Sequence, residues 1–558
     1  MSGDRRLPPS FVTFGMRVAA PTVRPPPGRG KERGAGGRLR GLGRRPGLAA
    51  LVFALVSGLI THADHLFKYP LYLTDEGIYM ERVWSLIRET KLTPYTYDYD
   101  HAPGGWITIA GWVLPLPRQF ETFGTSINTG RALMLVVHVA CVFLLFEVTR
   151  RLSGSVLAAS IAAFLFNFSP LAVYFQRQVL LDNLMVFWVL LSMFILLHRE
   201  SHIWKALGAG LAFGMALITK ENAIFFAPAF LYLLHRGIRG STTRRFVRTL
   251  WPFAMAAPLG AYIMFSVLKS ELLPSRLSFS LSHPPTGHVS LLYTLWWQLN
   301  RNQGTLLTRG SYLYSSWLPK DSYLLLCGVA AMGTCLYLGM RDRERNHGFL
   351  VAGLLAFGYA FYLLRGSVVL DFYVIPMVPL FAMNIGMVAD RILRGSHRFV
   401  RVGLPVLVGL ALLLAPATGY LFTYNDQGRR QVADQYHLNL TVMQREQVAW
   451  IRHHIPPGAR LITDEDIWTE LHDVRPYYPY AHSHWNASSD PTIRDKLFAR
   501  NWQNIDYVVM SNKMRQAIVG NNGDGRESWI LNAIDNHSTV VWQTGQGDIR
   551  LQIYQIQK

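Results

Sequence analysis

The sequence predicts an α-helical polytopic membrane protein of about 11 transmembrane helices, with a small C-terminal α/β extracytoplasmic domain. Three observations predict it. Apolar runs of about 17–22 residues with few charges recur along residues 47–420, each long enough to cross ~30 Å of hydrocarbon. The short connections between them are basic at every second turn, and Lys and Arg favour the cytoplasmic side. After Tyr420 the chain turns polar, with helical and strand-like periods mixed. A mean hydropathy of +0.16 averages these unlike parts and understates the membrane character.

Residues 1–46 are rich in Pro, Gly and Arg, end in RGKERGAGGRLRGLGRR and lack apolar periodicity, so a disordered tail is expected. A basic tail beside an apolar run argues for a cytoplasmic N-terminus. It is too long for a signal peptide, and no small-residue cleavage site follows the run. The net charge of +20 over 558 residues would suit nucleic acid in a soluble chain. Placed in this tail and in the inner loops, it points to anionic lipid instead, and no nucleic-acid partner is expected.

The apolar runs cover 47–63, 131–149, 153–172, 179–198, 204–219, 222–236, 249–268, 321–340, 347–364, 369–389 and 400–420. An odd number with the N-terminus inside puts the C-terminus outside. The connections expected inside, Arg150-Arg151, HRESHIWK, HRGIRGSTTRRFVR, RDRERNH and DRILRGSHRFVR, are all basic. Only Thr219-Lys220-Glu221 separates 204–219 from 222–236. The two runs could fuse into one buried helix, but the basic segments on both sides favour a hairpin. The domains are thus a tail (1–46), a membrane part (47–420, with outer loops 64–130 and 269–320) and an outer domain (421–558). In that last part MQREQVAWIRHHIPPGARLIT reads as helix, turn and strand, and Ile505–Met510, Thr539–Trp542 and LQIYQI read as strands, the makings of a lid or recognition domain. Cys141, Cys327 and Cys335 lie inside apolar runs, where buried packing is expected and no disulfide framework is implied.

Candidate chemistry gathers on the outer side. Asp75-Glu76 follows the first run. A carboxylate there can act as base towards a hydroxyl or ligate a divalent metal; it can also merely cap the helix that follows. That helix mixes Ile78, Val83, Leu86 and Ile87 with Glu81, Arg82, Arg88 and Glu89, and is expected to lie on the membrane surface. Asp100-His101 beside Pro103-Gly104-Gly105 is a second polar cluster in a turn. Arg177 and Asp182 flank the outer end of the fourth run, where ionisable residues are costly; an ion pair between them is the plainer reading. Lys220 and Arg365 can meet a lipid phosphate or snorkel to headgroups, and Asp371 can balance Arg365. Loop 269–320 holds Arg301, Arg309, His283 and His288, the histidines lacking nearby Cys or carboxylate partners for a metal. Its Tyr293, Trp296, Trp297, Tyr312, Tyr314 and Trp317 read as an interfacial belt. No P-loop, GxSxG elbow or HExxH occurs.

In the order and membrane side of these features the chain resembles the GT-C glycosyltransferases, in particular the protein O-mannosyltransferases and the lipid A aminoarabinose transferases. TDEGIY matches their acidic pair in the first outer loop. DHAPGGW approximates their His/Pro turn, with Ala102-Pro103 where Pro-Pro is commoner. Arg177…Asp182, Lys220 and the aromatic-Pro helix DFYVIPMVPLF follow in the same order. The resemblance covers about residues 47–420. It implies inverting transfer of a sugar from a polyprenyl-phosphate donor to an acceptor hydroxyl of a protein, lipid or glycan outside the cell membrane. Asp75 and Glu76 would be catalytic, with Asp75 the base. His101, Asp100, Arg177, Asp182, Lys220, Arg301 and Arg365 would bind substrate, the cations holding the lipid phosphate. The resemblance assigns no cofactor beyond the lipid-linked donor substrate; a divalent cation is compatible with it, with no ligands assigned. The rival reading, a transporter or flippase for a lipid-linked sugar, calls for mid-span charges and internal repeats; the charges here gather at one face. A non-enzymatic scaffold would leave the acidic loop unexplained.

Overall fold

A computed structural model of the chain describes residues 44–198, 203–237, 244–274, 290–300, 306–308, 310–365, 369–395, 422–424, 430–432, 439–521, 525, 527–545 and 549–558. The chain divides into Met1–Leu48 and Ala49–Lys558, the second a single compact unit. The apolar runs and the loops between them form the helices α1 (Arg44–Ala63), α2 (Thr74–Arg88), α3 (Gly104–Val113), α4 (Ser126–Ser153), α5 (Val156–Phe168), α6 (Pro170–Phe175), α7 (Leu181–Leu196), α8 (Ile203–Thr219), α9 (Ala227–Gly237), α10 (Arg244–Leu268), α11 (Leu291–Asn300), α12 (Leu318–Arg341), α13 (His347–Leu364) and α14 (Met377–Gly395).

Among the described residues, five helical stretches are long and apolar enough to cross a membrane: Ser126–Ser153, Phe246–Leu268, Leu313–Arg341, His347–Leu364 and Asp371–Gly395. Gly47–Ala63, Val156–Phe168, Leu181–Leu196 and Ile203–Thr219 are shorter apolar helices. The protein is a multi-pass membrane protein, but this tally differs from the sequence count for identifiable reasons. The run 153–172 breaks at Ser169-Pro170, where Pro170 lacks an N–H to continue the helix and Ser169 caps the next one. The run 222–236 opens as a 3-10 turn, Glu221–Phe226, which keeps α8 and α9 separate. The run 400–420 lies outside the described residues.

Within the bundle α8 lies between α7 and α10, α4 touches α5 and α7, and α14 lies on α5 and α12. The α8–α10 contact depends on Gly210 and Gly214. A Cβ at either would sit 2.5 Å from the carbonyl oxygens of Trp251 and Met255 respectively, the close approach that small residues four apart allow. It sets the height at which α8 ends in Lys220. Phe253, Met264 and Leu268 on α10 stay exposed, as a lipid-facing flank requires. Cys141 and Cys335 are buried, whereas Cys327 is exposed, so Cys327 is not the buried packing residue expected.

Beyond the bundle, β1 (Phe422–Tyr424) pairs antiparallel with β2 (Arg430–Val432). After α15 (Thr441–His454) comes a five-stranded sheet of β3 (Leu461–Thr463), β4 (Ala481–Ser483), β5 (Tyr507–Ser511), β6 (Ser538–Thr544) and β7 (Leu551–Ile556), in the order β4-β3-β5-β7-β6. β3 runs parallel to β4 and β5, and β7 is antiparallel to β5 and β6. Helices α16 (Trp468–Asp473), α17 (His484–Ser489), α18 (Asn512–Asn521) and α19 (Ser528–Asn536) fill the connections. Alternation sends Val508, Met510 and Ile556 to one apolar cluster and Leu461, Val509 and Ile553 to another, so both faces are covered.

This layer covers α2. Trp84 Nε1 and Arg88 Nε donate to Asp473 at 2.9 and 2.8 Å, and the Ser126 N–H donates to Glu470 at 2.7 Å. Gly77 permits the contact, since a Cβ there would lie 2.2 Å from the Glu465 carbonyl oxygen. The expectation that α2 lies with its apolar face on lipid is therefore corrected. Val83 is buried, and Ile78, Leu86 and Ile87 rest on the bundle core. Its cations Arg82 and Arg88 are paired with Asp98 and Asp473.

Candidate active site

The neighbouring carboxylates at the start of α2 meet opposite surroundings. Glu76 reaches back to accept the Leu73 N–H at 3.0 Å, one half of a capping box. It also accepts Arg131 Nε and Nη2 at 2.9 and 2.7 Å and the Val179 N–H at 2.9 Å. Arg131 further donates to the Pro70 carbonyl at 2.9 Å, and both side chains are 0% exposed. Every facing oxygen of Glu76 is thus engaged with protein, which argues against the catalytic role read for it from the sequence: it holds the loop. Asp75 is half-buried, and among the described residues its carboxylate has no hydrogen-bond partner. Burial raises its pKa above the usual carboxylate range; Lys220 and His101 oppose that rise, and Asp182 and Asp100 add to it.

Asp182, in the first turn of α7, is paired with Lys220 rather than with Arg177. Lys220 Nζ donates to its Oδ2 at 2.5 Å, with both side chains buried. Lys220 comes from the tight α8–α9 turn and also sits 4.1 Å from the Tyr373 ring centre, so it does not snorkel. Arg177 is turned to α1, donating to the Thr61 carbonyl at 2.7 Å, which corrects its assignment as Asp182's partner.

The next residue, Glu221, accepts the Ala102 N–H at 3.1 Å and lies 3.4 Å from His101 Nδ1. On the other side of the ring, Asp100 Oδ2 stands 3.8 Å from Nε2. Burial disfavours the imidazolium, but Asp100 and Glu221 outweigh it and raise the His101 pKa. Gln298 on α11 donates to Asp100 at 3.3 Å, and its carbonyl accepts Arg365 Nη2 at 3.2 Å. Arg365 Nε is buried without a partner among the described residues. His101, Lys220, Glu221, Gln298 and Arg365 line a cavity of about 370 Å³ whose remaining wall includes Leu217, Phe225, Leu259 and Leu295. An apolar chamber with cations on one wall suits an amphiphile with an anionic head.

The structure therefore brings Asp75, Asp100, His101, Asp182, Lys220 and Arg365 into one neighbourhood. Arg301, with Arg309, His283 and His288, lies outside the described residues. Sequence reasoning missed Glu221, although it shares the α8–α9 turn with Lys220, and Arg131, hidden at the head of an apolar run. Asp371 does not balance Arg365; its carboxylate accepts Trp317 Nε1 at 3.1 Å. Tyr293 and Trp317 are buried, unlike the exposed Tyr312 and Tyr314, so the expected aromatic belt is only partly a surface feature. Among the described residues no group of three or more His, Cys, Asp or Glu side chains is arranged to hold a metal ion.

Residues 109–268 match the family described as dolichyl-phosphate-mannose-protein mannosyltransferase. The solved structure of ArnT from Cupriavidus metallidurans bound to undecaprenyl phosphate is similar at 14% identity. The match covers 91% of this chain and 97% of that one, with a TM-score of 0.56. The fold is that of the GT-C glycosyltransferases. The apo oligosaccharyltransferase of Archaeoglobus fulgidus shares this GT-C fold at 14% identity and a TM-score of 0.54, over 84% of this chain and 70% of that one. The same organism's AglB with an inhibitory peptide and a dolichol-phosphate gives 12% and 0.53, over 88% and 72%. No curated protein sequence matches the chain.

Proposed function

We propose that the protein transfers one sugar, with inversion, from a polyprenyl-phosphate donor to an acceptor hydroxyl on the outer side of a cell membrane. The observation that carries the reading is a spare carboxylate, Asp75, within electrostatic reach of Lys220 and His101, which line an apolar chamber together with Arg365. Asp75 takes the acceptor proton. The acceptor oxygen bonds to the anomeric carbon as that carbon's bond to the lipid phosphate breaks, and the phosphate leaves with the electron pair. Arg365, Lys220 and the protonated His101 stabilise the charge growing on the leaving oxygen. Glu76 positions α2 and does not touch substrate. A lipid phosphate is already an activated leaving group, so no nucleotide is needed outside.

The undecaprenyl phosphate in the ArnT structure and the dolichol-phosphate in the archaeal one support a polyprenyl carrier, and the matched family supports mannose as the first sugar to try. The acceptor is a protein, lipid or glycan. The N-terminus lies in the cytoplasm, and residues 421–558 serve as an outer recognition layer over the 47–420 membrane part. The test is transfer of label from a radiolabelled polyprenyl-phosphate sugar in membranes, wild type against Asp75→Asn at equal expression. Wild type transfers and the variant does not. Full activity in the variant would remove Asp75 from the chemistry, and lipid movement across the bilayer without transfer would make the protein a flippase.

A further inference from the structure

We infer that Glu221 is the positioning residue for His101, holding the imidazole charged and placed so that its Nε2–H meets the phosphate of the lipid-linked donor. This rests on the transferase reading above and deepens it, naming the group that keeps one of its phosphate-binding cations in place. Glu221 opens the 3-10 turn that follows Lys220, and its two carboxylate oxygens meet different parts of one loop. Oε1 accepts the Ala102 N–H at 3.1 Å and fixes the backbone. Oε2 stands 3.4 Å from His101 Nδ1 and fixes the ring, across 120 residues of chain. The Pro103-Gly104-Gly105 turn allows this meeting. A Cβ at Gly104 would sit 2.8 Å from the Ile218 carbonyl oxygen, and one at Gly105 2.3 Å from Leu181 Cδ2. The turn is thus wedged between the end of α8 and the start of α7, which sets His101 opposite Glu221.

The ring stands between two carboxylates, with Asp100 Oδ2 3.8 Å from Nε2 and Glu221 on the Nδ1 side. A neutral imidazole carries one N–H and one lone pair, so one nitrogen would present its lone pair to an anion; the imidazolium donates from both. The two contacts are unequal. Asp100 is drawn towards α11, accepting Gln298 Nε2 at 3.3 Å, and its 3.8 Å separation from the ring exceeds hydrogen-bond reach. Among the described residues Nδ1 is thus the nitrogen bonded to protein, and Nε2–H is left for a ligand. His101 lines the chamber together with Lys220 and Arg365. The other charges about the ring are Lys220 in the same turn as Glu221, Asp75 at the start of α2 and Asp182 in the first turn of α7. Lys220 and Asp182 are bonded to each other at 2.5 Å. Glu221 is therefore the anion in closest contact with the ring. A bare carboxylate on this wall would repel a lipid phosphate; paired with the imidazolium it does not, so the two side chains act as a unit.

The test compares purified full-length wild type with Glu221→Gln, which keeps an oxygen for the Ala102 N–H and loses the charge. With Glu221 in place the ring holds its proton to higher pH; without the charge it gives the proton up earlier, so the deficit belongs on the alkaline side. The thermal midpoint is unchanged, and kcat at mildly alkaline pH falls about tenfold, the size of one charge-assisted hydrogen bond. The ratio of variant to wild type returns towards one as acidification protonates His101. Undecaprenyl phosphate binding, followed by thermal shift over the same pH range, weakens in parallel; the lipid's own titration is common to both proteins and cancels. In a His101→Asn background the change at 221 no longer alters the pH profile of binding. A Glu221→Gln protein that does not fold, or whose loss is the same at every pH, makes Glu221 a loop staple and overturns the positioning role. A profile difference that survives in the His101→Asn background overturns it as well. Binding that differs as expected, with no sugar transferred by wild type from any polyprenyl-phosphate donor, overturns the transferase reading and leaves the pair standing. Wild type that binds no undecaprenyl phosphate at any pH overturns both.

Discussion

The floor beneath Asp75 and the chamber beside it use the same residue types for opposite ends. In the floor, the Glu76–Arg131 pair is closed: backbone N–H groups and carbonyls take up what the two side chains leave over. In the chamber region the pairing is incomplete. Lys220 holds only one oxygen of Asp182, whose Oδ1 is buried and unpartnered, and Arg365 Nε is likewise unpartnered among the described residues. Both regions are buried and both hold cations and carboxylates. What separates architecture from chemistry here is whether the hydrogen-bonding capacity is used up, because a buried polar atom left open is costly unless something else is meant to meet it.

That contrast can be broken at its sharpest point by exchanging one atom in each neighbour. Asp75→Asn lowers kcat about a thousandfold, as loss of a general base does, with the thermal midpoint unchanged. Glu76→Gln destabilises by about 3–5 kcal/mol, because it leaves Arg131 charged and uncompensated; thermal unfolding and folded yield check it. If Glu76→Gln instead folds normally and loses activity, the division fails. Gly77→Ala tests the same floor from outside: the added methyl meets the Glu465 backbone and costs about 1–3 kcal/mol, read from the denaturation midpoint. On the chamber side, Arg365→Ala lowers kcat about a hundredfold, as loss of a group that stabilises developing charge on the leaving phosphate does, with a smaller rise in the donor KM and no change in stability. The smallest effect is in pH. Transfer needs Asp75 ionised and its pKa is raised, so kcat/KM falls with acidification at a midpoint above the ~3.9 of a free aspartate. A midpoint at or below that value would mean Asp75 is solvated and not the base.

The helices were legible because apolar runs report themselves, and the strands because β5 and β7 alternate across two covered faces. Asp75 was legible from its place after the first run. The partners were not. Arg131 meets Glu76 across 55 residues, and nothing local marks it. Spacing suggested Arg177 for Asp182, yet Lys220, 38 residues on, reaches it from the α8–α9 turn. The surface-helix reading of α2 failed for a related reason: a helix mixing charge and apolar residues looks the same whether lipid or another protein layer covers it. Local pattern fixes which residues want covering, and only long-range contact decides by what.

The covering of α2 has a consequence for biogenesis. The segment bearing Asp75 leaves the ribosome hundreds of residues before Asp464 and Asp473, which clasp it. While the later part is still being synthesised, Gly77 and Trp84 stand bare and the base has not acquired its final dielectric setting. On the transferase reading proposed above, a nascent chain in the translocon is silent, and becomes competent only when the last-made layer closes over the first-made loop.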